Sequence, residues 1–115
     1  MLKGLIFLTF ALIAVSSCKK GGGSKLTPEC DGSHPTYNSQ IKVIIEGNCN
    51  ASGCHNAGSS RGDFTTYTGL SGVIASGAFK REVLTDQTMP KGSANLSQKN
   101  LNLIQCWVND GYPEN

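Results

Sequence analysis

The sequence predicts a small all-α domain of about three to five helices joined by long loops. Three observations carry that prediction. Apolar residues recur at helical spacing in two well-bounded segments, residues 37–48 and 97–108. No segment alternates apolar and polar residues with the period of two that a strand requires. Between the two segments lie polar stretches rich in glycine and broken by proline. Connections that long are uncommon in compact domains unless they serve a site.

At 115 residues the chain holds one domain at most. Ten Lys and Arg against eight Asp and Glu leave a formal charge of +2. No basic run is longer than a pair such as Lys19-Lys20, so no nucleic-acid footprint is expected. The apolar fraction of 38% flatters the domain, because 12 of the first 17 residues are apolar. What remains is too lean to bury much apolar surface. A covalent or non-protein staple is therefore expected.

Residues 1–17 read as an export signal: Lys3, then an apolar run from Leu5 to Val15 interrupted only by Thr9. At ~1.5 Å per residue that run is too short to span a ~30 Å hydrocarbon core. Val15-Ser16-Ser17-Cys18 resembles the bacterial lipobox. The resemblance implies cleavage before Cys18, lipidation of Cys18, and a chain tethered to a membrane surface of the cell envelope, facing the periplasm. Residues 18–29 then form the lipidated N-terminus and a flexible linker, with Lys19-Lys20-Gly21-Gly22-Gly23-Ser24 too polar to pack. The folded domain spans residues 30–115.

Within it, Pro28, Gly32 and Pro35 mark turn and loop chemistry. Tyr37, Ile41, Ile44 and Ile45 form the stripe of a first helix, with Pro35 acceptable in its first turn and Gly47 as its end just before Cys49. Residues 50–63 read as loop. Tyr67, Leu70, Val73 and Ile74 predict a short second helix, weakened by Gly69 and Gly72. Phe79, Val83 and Leu84 predict another turn or two, and residues 85–94 are loop again. The last helix opens at the N-cap Ser97, with Leu96 stapled on Leu101. Leu101, Ile104, Trp107 and Val108 make its stripe, and Gly111 with Pro113 stops it.

Cys49-Asn50-Ala51-Ser52-Gly53-Cys54-His55 places a histidine directly after the second of two close cysteines. Attachment of c-type haem needs two thiols to add across the porphyrin vinyl groups, and an imidazole held beside one of them to ligate iron. Adjacency of Cys54 and His55 meets the second demand. The usual two intervening residues are four here, and Gly53 with the small Ala51 and Ser52 lets the extra residues bulge. Beyond Met1, Met89 is the one methionine. It precedes Pro90, which biases its backbone away from helix. A thioether opposite an imidazole favours ferrous iron and raises the reduction potential.

Over residues 30–115 the chain resembles the small class I cytochromes c, in particular lipoprotein-type domains with a widened attachment motif. The resemblance rests on a helix ending at Cys49, on Cys54-His55, on Thr88-Met89-Pro90, and on Leu96-Ser97 opening a final helix through Trp107. It implies a bundle wrapped around one covalent haem c, with its first and last helices crossing. Cys49 and Cys54 are then the thioether links, and His55 and Met89 the axial iron ligands. Many members have a proline soon after the histidine whose carbonyl orients the imidazole. Asn56-Ala57-Gly58 stands there instead, and the orienting partner is not identifiable. With Cys18 assigned to lipid and Cys49 and Cys54 to haem, Cys30 and Cys106 remain. A disulfide between them is expected in an oxidising compartment.

Other readings compete. Cys49 and Cys54 can pair as a disulfide beside an ordinary surface histidine, in a haem-free structural lipoprotein. A zinc site can draw on Cys49, Cys54, His55 and one of His34, Cys30 or Cys106, although the second short-spaced ligand pair is missing. Met89 can be buried filler. Trp107 is expected to pack inward rather than conduct electrons. Tyr67 either lines the pocket or sits half-exposed, and His34 is a solvated loop residue. Lys80, Arg81, Lys91 and Lys99 flank the methionine loop, with Glu82 and Asp86 diluting any docking rim. With both axial positions filled by protein there is no open coordination site. The expected function is single-electron transfer between redox proteins of the envelope rather than enzymatic turnover. The alternative is a haem peroxidase or gas sensor with a labile Met89.

Overall fold

The computed structural model describes residues 24–92 and 95–115. The expected signal segment and Cys18 lie outside the described residues. The described chain is helical and contains no strand, and none of its helices is long and apolar enough to cross a membrane.

The first helical segment opens as a π-helical turn, Tyr37–Ile41, and continues as α1, Lys42–Asn48. Thr36 is its N-cap. The Thr36 hydroxyl accepts from the Ser39 amide at 3.3 Å, and the Ser39 hydroxyl accepts from the Thr36 amide at 2.9 Å. This reciprocal box satisfies two end donors and places the N-cap one residue after Pro35. Pro35 is buried just outside the helix. Gly47 does not end α1 as its residue type predicts. The helix runs through Asn48 and is capped by Cys49, whose amide donates to the Ile45 carbonyl at 2.8 Å.

α2 spans Tyr67–Ala75 with the Thr66 hydroxyl accepting from the Gly69 amide at 3.1 Å. Gly69 reads in the sequence as a weakness, but it has a packing reason. A Cβ there would lie 1.7 Å from the carbonyl oxygen of Asp63, so only glycine lets α2 approach the loop before it. α3, Ala78–Lys80, starts after Gly77 at φ 74° and passes into a second π-helical turn, Arg81–Thr85, burying Phe79, Val83 and Leu84.

α4, Gln98–Asn109, starts at Ser97, whose hydroxyl accepts from the Asn100 amide at 3.2 Å, and Leu96 and Leu101 are both buried. It ends in a Schellman arrangement. Gly111 turns left-handed at φ 83°, its amide donates to Val108, and the Tyr112 amide reaches back to the Trp107 carbonyl at 2.8 Å.

The core is built around Trp107, which is fully buried. Phe79 and Tyr112 meet it edge-on at centroid distances of 5.7 and 5.0 Å, and Tyr37 lies 6.5 Å away. Its indole N–H donates to the Pro113 carbonyl at 2.9 Å, so the large apolar ring is buried with its one donor satisfied. Tyr67 is half-buried against Tyr37 and donates its hydroxyl to the Tyr112 carbonyl at 2.7 Å.

Both ends of the domain are tied together. The amides of Tyr37 and Asn38, orphans at a helix start, donate to the carbonyls of Pro113 and Glu114. Cys30 and Cys106 form a disulfide that joins the loop before the first helix to α4 across 76 residues. The segment on either side of Cys30 follows α4, with Gln98 donating to the Thr27 carbonyl and Asn102 accepting from the Glu29 amide. First helix, last helix and leading loop thus form one frame, and the two long loops hang from it.

Candidate functional site

α1 delivers Cys49 at its C-cap, and the chain then closes a tight backbone ring. The Cys49 carbonyl accepts from the His55 amide at 3.1 Å, and the Ala51 carbonyl from the Cys54 amide at 2.9 Å. Gly53 occupies the third position of that inner turn at φ 79° with open space where a Cβ would be, so it serves the turn and not a contact. Four residues between the cysteines therefore make a compact outward bulge that leaves Cys54-His55 next to Cys49.

The stretch that follows is loop, as expected, and densely bonded. Ser59 donates to the Cys54 carbonyl at 2.7 Å and Arg61 to the Gly53 carbonyl at 3.1 Å. The Asp63 carboxylate accepts from the Gly58 amide and from both the amide and hydroxyl of Thr65. These bonds, Thr65 first and Gly58 after it, hold its carboxyl below the usual 3.8.

His55 is the best-positioned side chain of the site. Its Nδ1 lies 3.1 Å from the carbonyl oxygen of Gly62. A carbonyl only accepts, so Nδ1 carries the proton and Nε2 keeps its lone pair, the tautomer that an imidazole metal ligand needs. Its backbone carbonyl accepts from the Phe64 amide at 2.9 Å, and the Phe64 ring lies flat on the imidazole. The orienting partner that the sequence does not identify is the Gly62 carbonyl, a backbone atom with no residue-type signature. Phe64 is equally hidden in the sequence as a site residue, although a single aromatic ending a polar loop is a usable signal.

Cys49 and Cys54 are free thiols, the former half-buried and the latter exposed. Burial pushes the Cys49 thiol up to about 11, with Cys54 adding to the shift, so Cys49 stays protonated near neutrality. The two sulfurs are not bonded to each other in this structure. Nor does the alternative zinc set gather. Among the described residues only Cys30, Asp31 and Cys106 bring three candidate donor atoms within 4.8 Å of one another, and two of those sulfurs are bonded to each other. His34 is exposed, as expected, and pairs with Asp110 at 2.8 Å.

Met89 is half-buried against the core. Its amide and that of Thr88 both donate to the Glu82 carbonyl, at 3.2 and 2.9 Å. The Glu82 carboxylate accepts from the Thr88 hydroxyl on one oxygen and from Arg81 on the other, and these bonds keep its carboxyl below the ordinary range.

A cavity of about 1220 Å³ brings the pieces together. Cys49, Cys54 and His55 line it from the end of α1 and the turn after it, and Met89 from the Thr88-Met89-Pro90 segment. Phe64, Phe79 and Val83 add apolar wall. Ordinary small-molecule pockets run ~300–1,000 Å³, so this space is large for so short a chain. Two thiols, one imidazole and one thioether on residues that line one cavity are the donor set that covalent haem requires, and the residues present fit that group. Of the four cations expected at a docking rim, Lys91 alone lines the cavity, beside Arg61, Glu46 and Glu82, so the rim is of mixed charge. The chain matches no protein-family model, no curated protein and no solved structure.

Proposed function

We propose that this protein is a single-electron carrier: a monohaem c-type domain tethered to the cell envelope by lipid on Cys18. The observation that carries the proposal is the common cavity of Cys49, Cys54, His55 and Met89. On this reading Cys49 and Cys54 would hold haem through thioether bonds, and His55 Nε2 and the Met89 sulfur would be its iron donors. The group supplies a one-electron iron couple when bound.

The protein's own contributions are separate and nameable. Gly62 keeps the proton of His55 on Nδ1, which leaves Nε2 available as a donor and raises its basicity. Phe64 restrains the plane of the imidazole. Met89 contributes a soft, neutral donor that favours the reduced state. Phe79 and Val83, both buried, contribute apolar surface to the cavity wall. With His55 and Met89 both given to the iron no donor position would remain for a substrate, which favours redox proteins of the envelope as partners over a small molecule to be transformed.

A reduced-minus-oxidised visible spectrum of protein produced with cytochrome maturation machinery tests the reading. Sharp haem bands that stay with the polypeptide through denaturing electrophoresis are expected. Colourless mature protein overturns it. The anchor is tested separately: Cys18→Ala should move the protein from the membrane to the soluble fraction, and persistent membrane fractionation counts against lipidation.

A further inference from the structure

The π-helical turn Arg81–Thr85 and the methionine segment are joined by a bond pattern that the haem reading does not itself require. We infer that Glu82 is a positioning residue for Met89, acting through Thr88 as a lock that holds the thioether in place. The inference rests on the proposed haem ligation and adds the device that maintains it.

Two layers of contact make the lock. In the backbone layer the Glu82 carbonyl accepts two amides, Thr88 at 2.9 Å and Met89 at 3.2 Å. One helical carbonyl with two lone pairs thus fixes the main chain on the residue that bears the ligand and the one before it. In the side-chain layer the Glu82 carboxylate accepts the Thr88 hydroxyl. Its other oxygen takes both Nε and Nη2 of Arg81, at 3.2 and 3.1 Å. Arg81 therefore orients the carboxylate while leaving one oxygen for Thr88. An exposed pair between adjacent residues adds little stability by itself. A charge-assisted bond from that pair to the ligand segment is a different matter, since such bonds are about twice as strong as neutral ones.

The placement matters because methionine has three rotatable side-chain bonds and a weak donor atom. The fraction of time that its sulfur occupies the ligating position depends on how well the backbone beneath is held. When the competent state is only part-populated, apparent affinity falls by that fraction. Glu82, Val83, Thr88 and Met89 all line the same cavity. Releasing the lock would weaken the Met89 donor and let an outside ligand compete with it, without touching His55 or the thioether cysteines.

Carbon monoxide is the probe, used on the mature ferrous full-length protein. Wild type should show a sulfur-to-iron charge-transfer band when oxidised and slow carbon monoxide uptake when reduced. Thr88→Val and Glu82→Gln should each weaken that band and speed uptake by about tenfold, which corresponds to ~1.4 kcal/mol. Thr88→Ser, which keeps the hydroxyl, should stay within about twofold of wild type, a rescue that a merely structural role for Thr88 does not predict. Unchanged band and uptake in Thr88→Val overturn the inference, as does Thr88→Ser behaving like Thr88→Val. If Thr88→Val fails to mature, unchanged band and uptake in Glu82→Gln overturn it equally. A wild type with covalent haem but no sulfur-to-iron band overturns the lock and leaves haem attachment standing. A wild type without haem overturns both.

Discussion

The imidazole of His55 and the ring of Phe64 are stacked with centroids 3.9 Å apart and planes within 3° of parallel. The stack closes a short circuit, because the Phe64 amide also donates to the His55 carbonyl and the His55 Nδ1–H donates to Gly62. Backbone, ring face and ring edge are thereby restrained together. A histidine so held loses little freedom on binding a metal.

Gly62 is the keystone of that circuit. It sits at φ 107°, and a Cβ there would come within 2.9 Å of the Phe64 ring. Gly62→Ala should cost about 2–3 kcal/mol, from backbone strain and overpacking together. Phe64→Leu, which keeps apolar volume but loses the flat stack, should cost nearer ~1 kcal/mol. Urea unfolding of the two variants checks the order, and Phe64→Leu proving the more damaging would refute the account.

Met89→Ala should abolish the sulfur-to-iron band, lower the reduction potential and leave the haem covalently attached. Potentiometric titration with denaturing electrophoresis on the same sample separates ligand from anchor. An unaltered potential and spectrum would remove Met89 from the ligand set.

The Cys30–Cys106 bridge closes a loop of 76 residues. In the chain-entropy model such a bridge contributes about 4.5 kcal/mol. Replacing both cysteines by alanine should therefore unfold the domain at markedly lower urea with little change in the visible spectrum, because neither sulfur faces the cavity. Equal urea midpoints would show that the other ties between leading loop and α4 suffice.

Acid should loosen the attachment loop through Asp63. Its folded-state pKa is depressed, by Thr65 chiefly and then Gly58. Its contribution is complete above the unfolded value of about 3.9 and is lost as pH falls through the lower folded value. The protection factor of the Thr65 amide, taken relative to intrinsic exchange at each pH, should be high at pH 5 and fall below that window, and Asp63→Asn should erase the acid step. Asp31 and Glu82 are depressed too, so global unfolding would blend all three. A local probe is needed, and an unchanged acid step in Asp63→Asn would dismiss this carboxylate.

Helix placement is legible in the residues because it depends on local patterns: α2 and α4 lie where their stripes and caps put them. The first helix shows the limit. Gly47 is a common stop signal, yet the helix runs one residue further to Asn48 and is capped by Cys49, since the Cys49 amide still finds the Ile45 carbonyl. The Thr36–Ser39 box, which Pro35 obscures, follows a known spacing and is readable in principle.

By itself the sequence determined which chemistry is available: two thiols and an imidazole at a telling spacing, one late thioether, and a lean set of apolar residues. Those depend on residue type and order, which the chain carries openly. Only the tertiary structure decided that Gly62 orients His55, that Gly69 must lack a Cβ beside Asp63, and that Glu82 holds the backbone of Met89. Each of these is a contact made by a main-chain atom, and carbonyls and amides are the same in every residue, so their partners emerge only once the chain has folded.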